Sequence, residues 1–314
     1  MISFLTQWYV WIPITAVLSF LTWRNYQRAD EFEPTESVLL VLEIPKANDK
    51  KELAAEQLFA SLHGILRDKR ELKLSGGRQE HISFEIASVN GQIRFYVWVP
   101  RTLQSFVEGQ IYAQYPTVQI HVASEDYTEH EREHSTVYTT ELTLTAPEFL
   151  PIRTFQTFEV DPLAGITGTL AKLELTGEEL WVQVLIRPIA DSWQQSADRW
   201  IASVKSGHKL IPGLGGGGLQ WVGTLLEALW RPPGQGSDGK KVPELSERDK
   251  TRVSEAEKKA TKLGYDVKIR LAYLGEDQTS AKLHMQALVG AFKQFNSTNL
   301  NGFRAVKGAF GKEF

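Results

Sequence analysis

The chain has 314 residues, 42% hydrophobic and 23% charged, the balance of a folded mass about two domains long; a disordered tail, a collagen-like chain and a polytopic membrane protein are excluded. The 35 Lys+Arg against 38 Asp+Glu give a formal net charge of −3, which argues against a dedicated duplex-DNA binder. Cysteine is absent, which removes disulfides, thiolate metal sites and cysteine nucleophiles.

Residues 1–23 contain no charged side chain and are mostly apolar, long enough for a spanning helix. Trp8, Tyr9 and Trp11 lie toward one end and Trp23 at the other, as in an aromatic belt. No basic n-region or small-residue cleavage site marks a signal peptide. Arg24 and Arg28 follow the run. The expectation is a single-pass anchor in the cell membrane, N-terminus out and body in the cytoplasm. The acidic, Pro34-containing stretch after it reads as a short spacer.

Ser37–Ile44 reads as a buried strand, and Asp49–Leu66 has apolar residues at helical spacing. Arg67–Gln79 reads as a loop. Ile82, Phe84 and Ile86 alternate in a strand, Asn90-Gly91 is a strong hairpin signal, and Gln92–Val99 is the return strand. Thr102 is placed to cap a helix running to Tyr115, and Thr117–Val122 is a last strand. The order β-α-β-β-α-β predicts a ferredoxin-like unit.

The second half repeats the theme. Val137–Leu144 and Thr154–Val160 read as strands, and Pro162 opens a helix through Leu173. Leu180–Ile189 is a strand, Asp191–Lys205 an amphipathic helix, and Glu247–Leu263 a charged helix. Tyr265–Tyr273 is a strand, Asp277–Phe295 a helix, and Gly302–Gly308 an edge strand. The predicted fold class is α+β: an N-terminal transmembrane helix followed by tandem ferredoxin-like units. The boundaries are an anchor and juxtamembrane segment over 1–29, a first unit over 30–128, and a second over 129–314 with a helical insertion at 190–263.

Three stretches invite a chemical reading. His130-Glu131-Arg132-Glu133-His134 matches H-E-x-x-H, in which two His bind zinc and Glu activates water. Its flanks are polar rather than apolar helix, so a solvated connector is the better reading and a metallohydrolase the remote one. Gly215 to Gly218 are consecutive, but no Walker A pattern exists, so this reads as a hinge. After it, Val222, Leu225, Leu226, Leu229 and Trp230 share one helical face, a helix on flexible arms that docks on the body or on a partner, with contact at a membrane surface as the alternative. On the Gln92–Val99 strand, Tyr96 and Trp98 share a face with Arg94, where stacking of single-stranded bases is the alternative function. The residues assign no cofactor and no metal, and leave homo-oligomerisation open.

The stretches Leu42-Glu43-Ile44-Pro45-Lys46, Ile82–Ile86, Val107–Pro116, Tyr265–Leu271 and Ala291–Asn296 resemble a domain of predicted proteins from candidate-phylum (Patescibacteria-type) bacteria. That domain is similar to the N-terminal, membrane-proximal part of type IV secretion or conjugative-transfer ATPases. No nucleotide-binding residue carries over to this chain. The resemblance implies a non-enzymatic, membrane-anchored assembly or adaptor protein that partners a separate P-loop ATPase.

Overall fold

The computed structural model describes residues 15, 19–20, 36–45, 52–129, 136–173, 177–206, 245–306 and 309–311. The chain divides into two units, Met1–Ser37 and Val38–Phe314. In the first, Thr15, Ser19 and Phe20 are helical. Among the described residues no helix is long and apolar enough to cross a membrane. This overturns the expected single-pass anchor and the membrane localisation drawn from it. Trp8, Trp11, Trp23, Arg24 and Arg28 lie outside the described residues. The apolar count over 1–23 leaned on amphipathic Trp and Tyr rings, and Thr6, Gln7, Thr15, Ser19 and Thr22 interrupt it.

Among the described residues one sheet of nine strands is formed. In chain order these are β1 (Ser37–Glu43), β2 (Ile82–Val89), β3 (Gln92–Pro100), β4 (Gln119–Val122), β5 (Thr136–Leu144), β6 (Glu179–Ile189), β7 (Gly264–Gly275), β8 (Phe303–Ala305) and β9 (Ala309–Gly311). The described helices are α1 (Glu52–Leu62), α2 (Lys69–Leu74), α3 (Gln104–Gln114), α4 (Leu163–Leu170), α5 (Ser192–Lys205), α6 (Glu247–Ala260) and α7 (Gln278–Phe292). Strand order across the sheet is β4-β1-β3-β2-β6-β7-β5-β8, with β9 also paired to β5.

This order corrects the expected pair of separate tandem ferredoxin-like units. The two halves share a single sheet, joined where β2 and β6 pair antiparallel from Ile82↔Ile186 to Ser88↔Leu180. A free β2 or β6 edge would expose a long row of unpaired N–H and C=O groups, and fusing the two edges satisfies both. The seam is also apolar on one face, because Ile82, Phe84 and Ile86 oppose Ile186, Val184 and Val182. The boundary at 128/129 therefore separates sequence segments rather than sandwiches.

All the sheet's helical cover lies on that apolar face. Leu58 and Leu62 of α1 and Val107 and Ile111 of α3 pack on Val38, Leu40, Val97 and Val99. Ile166 and Leu170 of α4 and Met285, Leu288 and Phe292 of α7 pack on Leu142, Val182 and Leu271. Each fully buried Leu or Ile of this kind contributes about 1.5–3 kcal/mol of transfer free energy. The described part of the 190–263 insertion is the α5/α6 pair, packed with Phe149 and Leu150 around Trp200. Asn301, 1% exposed, ties this region down: its amide donates to the carbonyls of Ala146, Pro147 and Leu150, and its oxygen accepts from Ala146 N.

Several local expectations shift. The loop expected over Arg67–Gln79 contains α2, which starts with a capping box between Asp68 and Glu71. Thr102 does not cap α3; a 3-10 turn, Arg101–Leu103, leads in instead. The strand expected over Thr154–Val160 is a 3-10 turn at Phe155–Thr157 closed by Thr157 donating to the Thr154 carbonyl. At the hairpin, Asn90 and Gly91 have φ of 51° and 71°, the left-handed pair a type I′ turn requires.

Candidate functional site

Because side chains alternate along a strand, the register that puts Ile82, Phe84 and Ile86 under the helices turns Ser83, Glu85 and Ala87 to the opposite face. One transverse row runs there across five strands: Tyr96 on β3, Glu85 on β2, Gln183 on β6, Arg270 on β7 and Glu141 on β5. The next row carries Trp98, Ser83, Leu185 and Lys268. No described helix packs on this face. It is crossed instead by the segment that follows β4, which seats Tyr127 among Leu39, Tyr96, Val137 and Trp181.

Tyr127 is 2% exposed. Its ring lies 4.8 Å from Tyr96 and 4.8 Å, edge-on, from Trp181. Its hydroxyl donates to the Glu85 carboxylate and accepts from Gln183 Nε2 at 3.0 Å. Burial pushes the Glu85 carboxyl above its ordinary value, opposed by hydrogen bonds from its neighbours. Burial and the nearby Glu85 likewise raise the Tyr127 phenol, so it stays a donor at physiological pH. Trp181, fully buried, donates from Nε1 to Glu179 at 3.0 Å.

Beside this plug the face opens into a groove. One part, of about 290 Å³, is lined by His81, Ser83, Glu85, Trp98, Thr128 and Arg270 among others. It adjoins a second part of about 440 Å³ that shares His81 and Leu185 and reaches Arg187, Asp266, Glu141 and Lys268. The His81 imidazole stacks on the Trp98 indole at 4.7 Å and 16°. Burial first, then the positive charges of Arg270 and Arg187, hold His81 below its usual pKa, so it is neutral at physiological pH. The Ser83 hydroxyl is buried beside Glu85 without a completed hydrogen bond. Two ion pairs lie here, Arg187 with Asp266 at 2.5 Å and Lys268 with Glu141 at 2.6 Å, while the Asp126 carboxylate accepts from the neutral Thr128 N–H and hydroxyl. Arg270 is exposed and makes no ion pair among the described residues.

The structure separates the two aromatic residues expected to stack bases. Tyr96 is buried under Tyr127, and Trp98 alone faces the groove, with Arg94 bonded to Gln92. Val222, Leu225, Leu226, Leu229 and Trp230, the Gly215–Gly218 run, and His130 through His134 lie outside the described residues. Among the described residues no group of His, Asp and Glu is placed to hold a metal ion. Sequence reasoning missed Glu85, Gln183, Arg270, His81 and Tyr127. The signal was present in part: Glu85, Gln183 and Arg270 each alternate with apolar neighbours on both sides in their own strand.

Residues 25–307 match the family described as a domain of unknown function, DUF8128; the chain belongs to that family. No curated protein matches the chain.

Proposed function

We propose that this member of the DUF8128 family is a non-enzymatic assembly or adaptor protein of a type IV secretion or conjugative DNA-transfer-like machine, partnering a separate P-loop ATPase. The observation that supports the reading is the two-sided sheet. Helices finish one face, while the other offers a polar, aromatic-lined groove with a rigid floor. The floor is rigid because Tyr127, Glu85, Gln183 and Trp181 lock one another by buried hydrogen bonds and ring contacts. Partner surfaces concentrate Trp and Arg at their centres with a polar rim, and here Trp98 and Arg270 hold that position.

Stacking of single-stranded nucleic acid on this face is the weaker reading, since Trp98 is left without the flanking ring that Tyr96 would supply. Co-expression of the chain with affinity purification and mass spectrometry tests the proposal. The expected result is stoichiometric recovery of a P-loop ATPase that Arg270→Glu abolishes. Recovery of the chain without an ATPase overturns the proposal.

A further inference from the structure

We infer that the groove beside Tyr127 is a binding site for a small planar anion, an aromatic ring bearing a carboxylate or phosphate, with Trp98 receiving the ring and Arg270 the charge. The ligand would use the same Trp98 and Arg270 that the adaptor reading gives to a partner surface, but its binding is measured on the chain alone, so the two readings fail separately.

Three observations converge. Trp98 lines the cavity with an indole already held flat against His81, so little rotamer entropy remains to be lost when a second ring packs there. Arg270 lines the same cavity and is the charged liner that no described carboxylate occupies, whereas Arg187 and Lys268 are taken by Asp266 and Glu141. A guanidinium offers the planar, two-pronged donor pattern that carboxylates and phosphates accept. Ser83 adds a buried hydroxyl without a completed hydrogen bond on the cavity wall, and a ligand oxygen would complete it.

The acidic liners Glu85 and Asp126 are hydrogen-bonded to fixed neighbours, which holds their oxygens away from free rotation toward a ligand. Asp126 is occupied by the Thr128 N–H and hydroxyl at 2.8 and 2.7 Å. Glu85 accepts from Tyr127, which spreads its charge. His81 covers one face of Trp98; burial first, then the charges of Arg270 and Arg187, lower its pKa, and a bound anion would offset the part that comes from those charges. The part lined by Trp98 and Arg270, about 290 Å³, lies just below the size range of small-molecule pockets, and the adjoining part of about 440 Å³ lies within it.

Calorimetric titration of the whole chain tests this, with adenosine 5′-monophosphate and 4-hydroxybenzoate as probes and adenosine, phenol and inorganic phosphate as controls. At least one anionic ring compound is expected to bind about tenfold or more tighter than its uncharged counterpart and than phosphate. The preferred probe then assigns the source, nucleotide or aromatic acid. Arg270→Gln, at an exposed position that leaves the fold intact, is expected to weaken binding about tenfold. Bound anion should also raise the His81 pKa, read from its ring proton resonance. Equal affinity for charged and uncharged probes, no binding by either anion, or full affinity in Arg270→Gln overturns the inference.

Discussion

Replacing Tyr127 by Phe removes one oxygen from the centre of the uncovered face and keeps the ring. The contacts with Tyr96 and Trp181, each at 4.8 Å, survive, so no cavity term enters. What is lost is a donor to Glu85 and an acceptor for Gln183, both buried. A neutral buried hydrogen bond is worth about 1 kcal/mol and one to a charged group about 1.5–3 kcal/mol, which together give a loss of about 2.5–4 kcal/mol. The loss depends on pH. Tyr127 is one of the hydrogen bonds that hold the Glu85 carboxyl down against desolvation, so its removal raises that carboxyl further. The folded state of Tyr127→Phe then binds its proton over a wider range than the parent's, and stability falls over more of the pH scale. Urea unfolding at pH 5 and pH 8 measures this, with an unchanged m-value and a larger deficit at pH 8. A loss below about 0.5 kcal/mol at both pH values, or a deficit larger at pH 5, refutes the reasoning.

Glu85→Gln keeps an acceptor for Tyr127 and removes the ionisable group. The folded Glu85 pKa lies above its ordinary 4.5 because of burial, so its contribution is fullest below that value and is lost as pH rises through the folded one. The stability of Glu85→Gln relative to the parent should therefore grow with pH from about 4.5 upward and then level, as read by urea midpoints across that range. Asn301→Ala deletes a side chain bonded to Ala146, Pro147 and Leu150 and should cost about 3–5 kcal/mol, measured by urea unfolding. Gly264→Ala places a Cβ 2.2 Å from Trp193 Nε1. It should cost about 1–3 kcal/mol by overpacking in the same assay, with most of the loss recovered by adding Trp193→Leu.

The strands and helices of the body were legible where one period dominated. Val38 and Leu40 on β1, the Asn90-Gly91 turn, and Met285, Leu288 and Phe292 on α7 announce their elements by spacing alone. The β2/β6 seam was not legible, because pairing between strands about a hundred residues apart leaves no local mark; each strand reads equally well as the edge of its own unit. Thr154–Val160 is rich in strand-favouring residues, Phe155, Thr157, Phe158 and Val160, yet local hydrogen bonds of Thr154 and Thr157 and the Arg153 stack on Phe158 hold it as a turn. Of the N-terminal run only Thr15, Ser19 and Phe20 are described, and among the described residues no helix is long and apolar enough to cross a membrane. For the site, Trp98 stood out by size and Arg270 did not, since its significance lies in the absence of a described ion-pair partner. Tyr127 was hidden in a polar connector, and only tertiary structure shows it plugging the sheet.

The adaptor reading rests on the uncovered face, and the most direct test is side-by-side affinity purification of the parent and Arg270→Glu with mass spectrometry of what they retain. The account predicts a P-loop ATPase at near-stoichiometric level with the parent and its loss with Arg270→Glu, while both proteins unfold at the same urea midpoint. An ATPase absent from both, or retained equally by both, contradicts it.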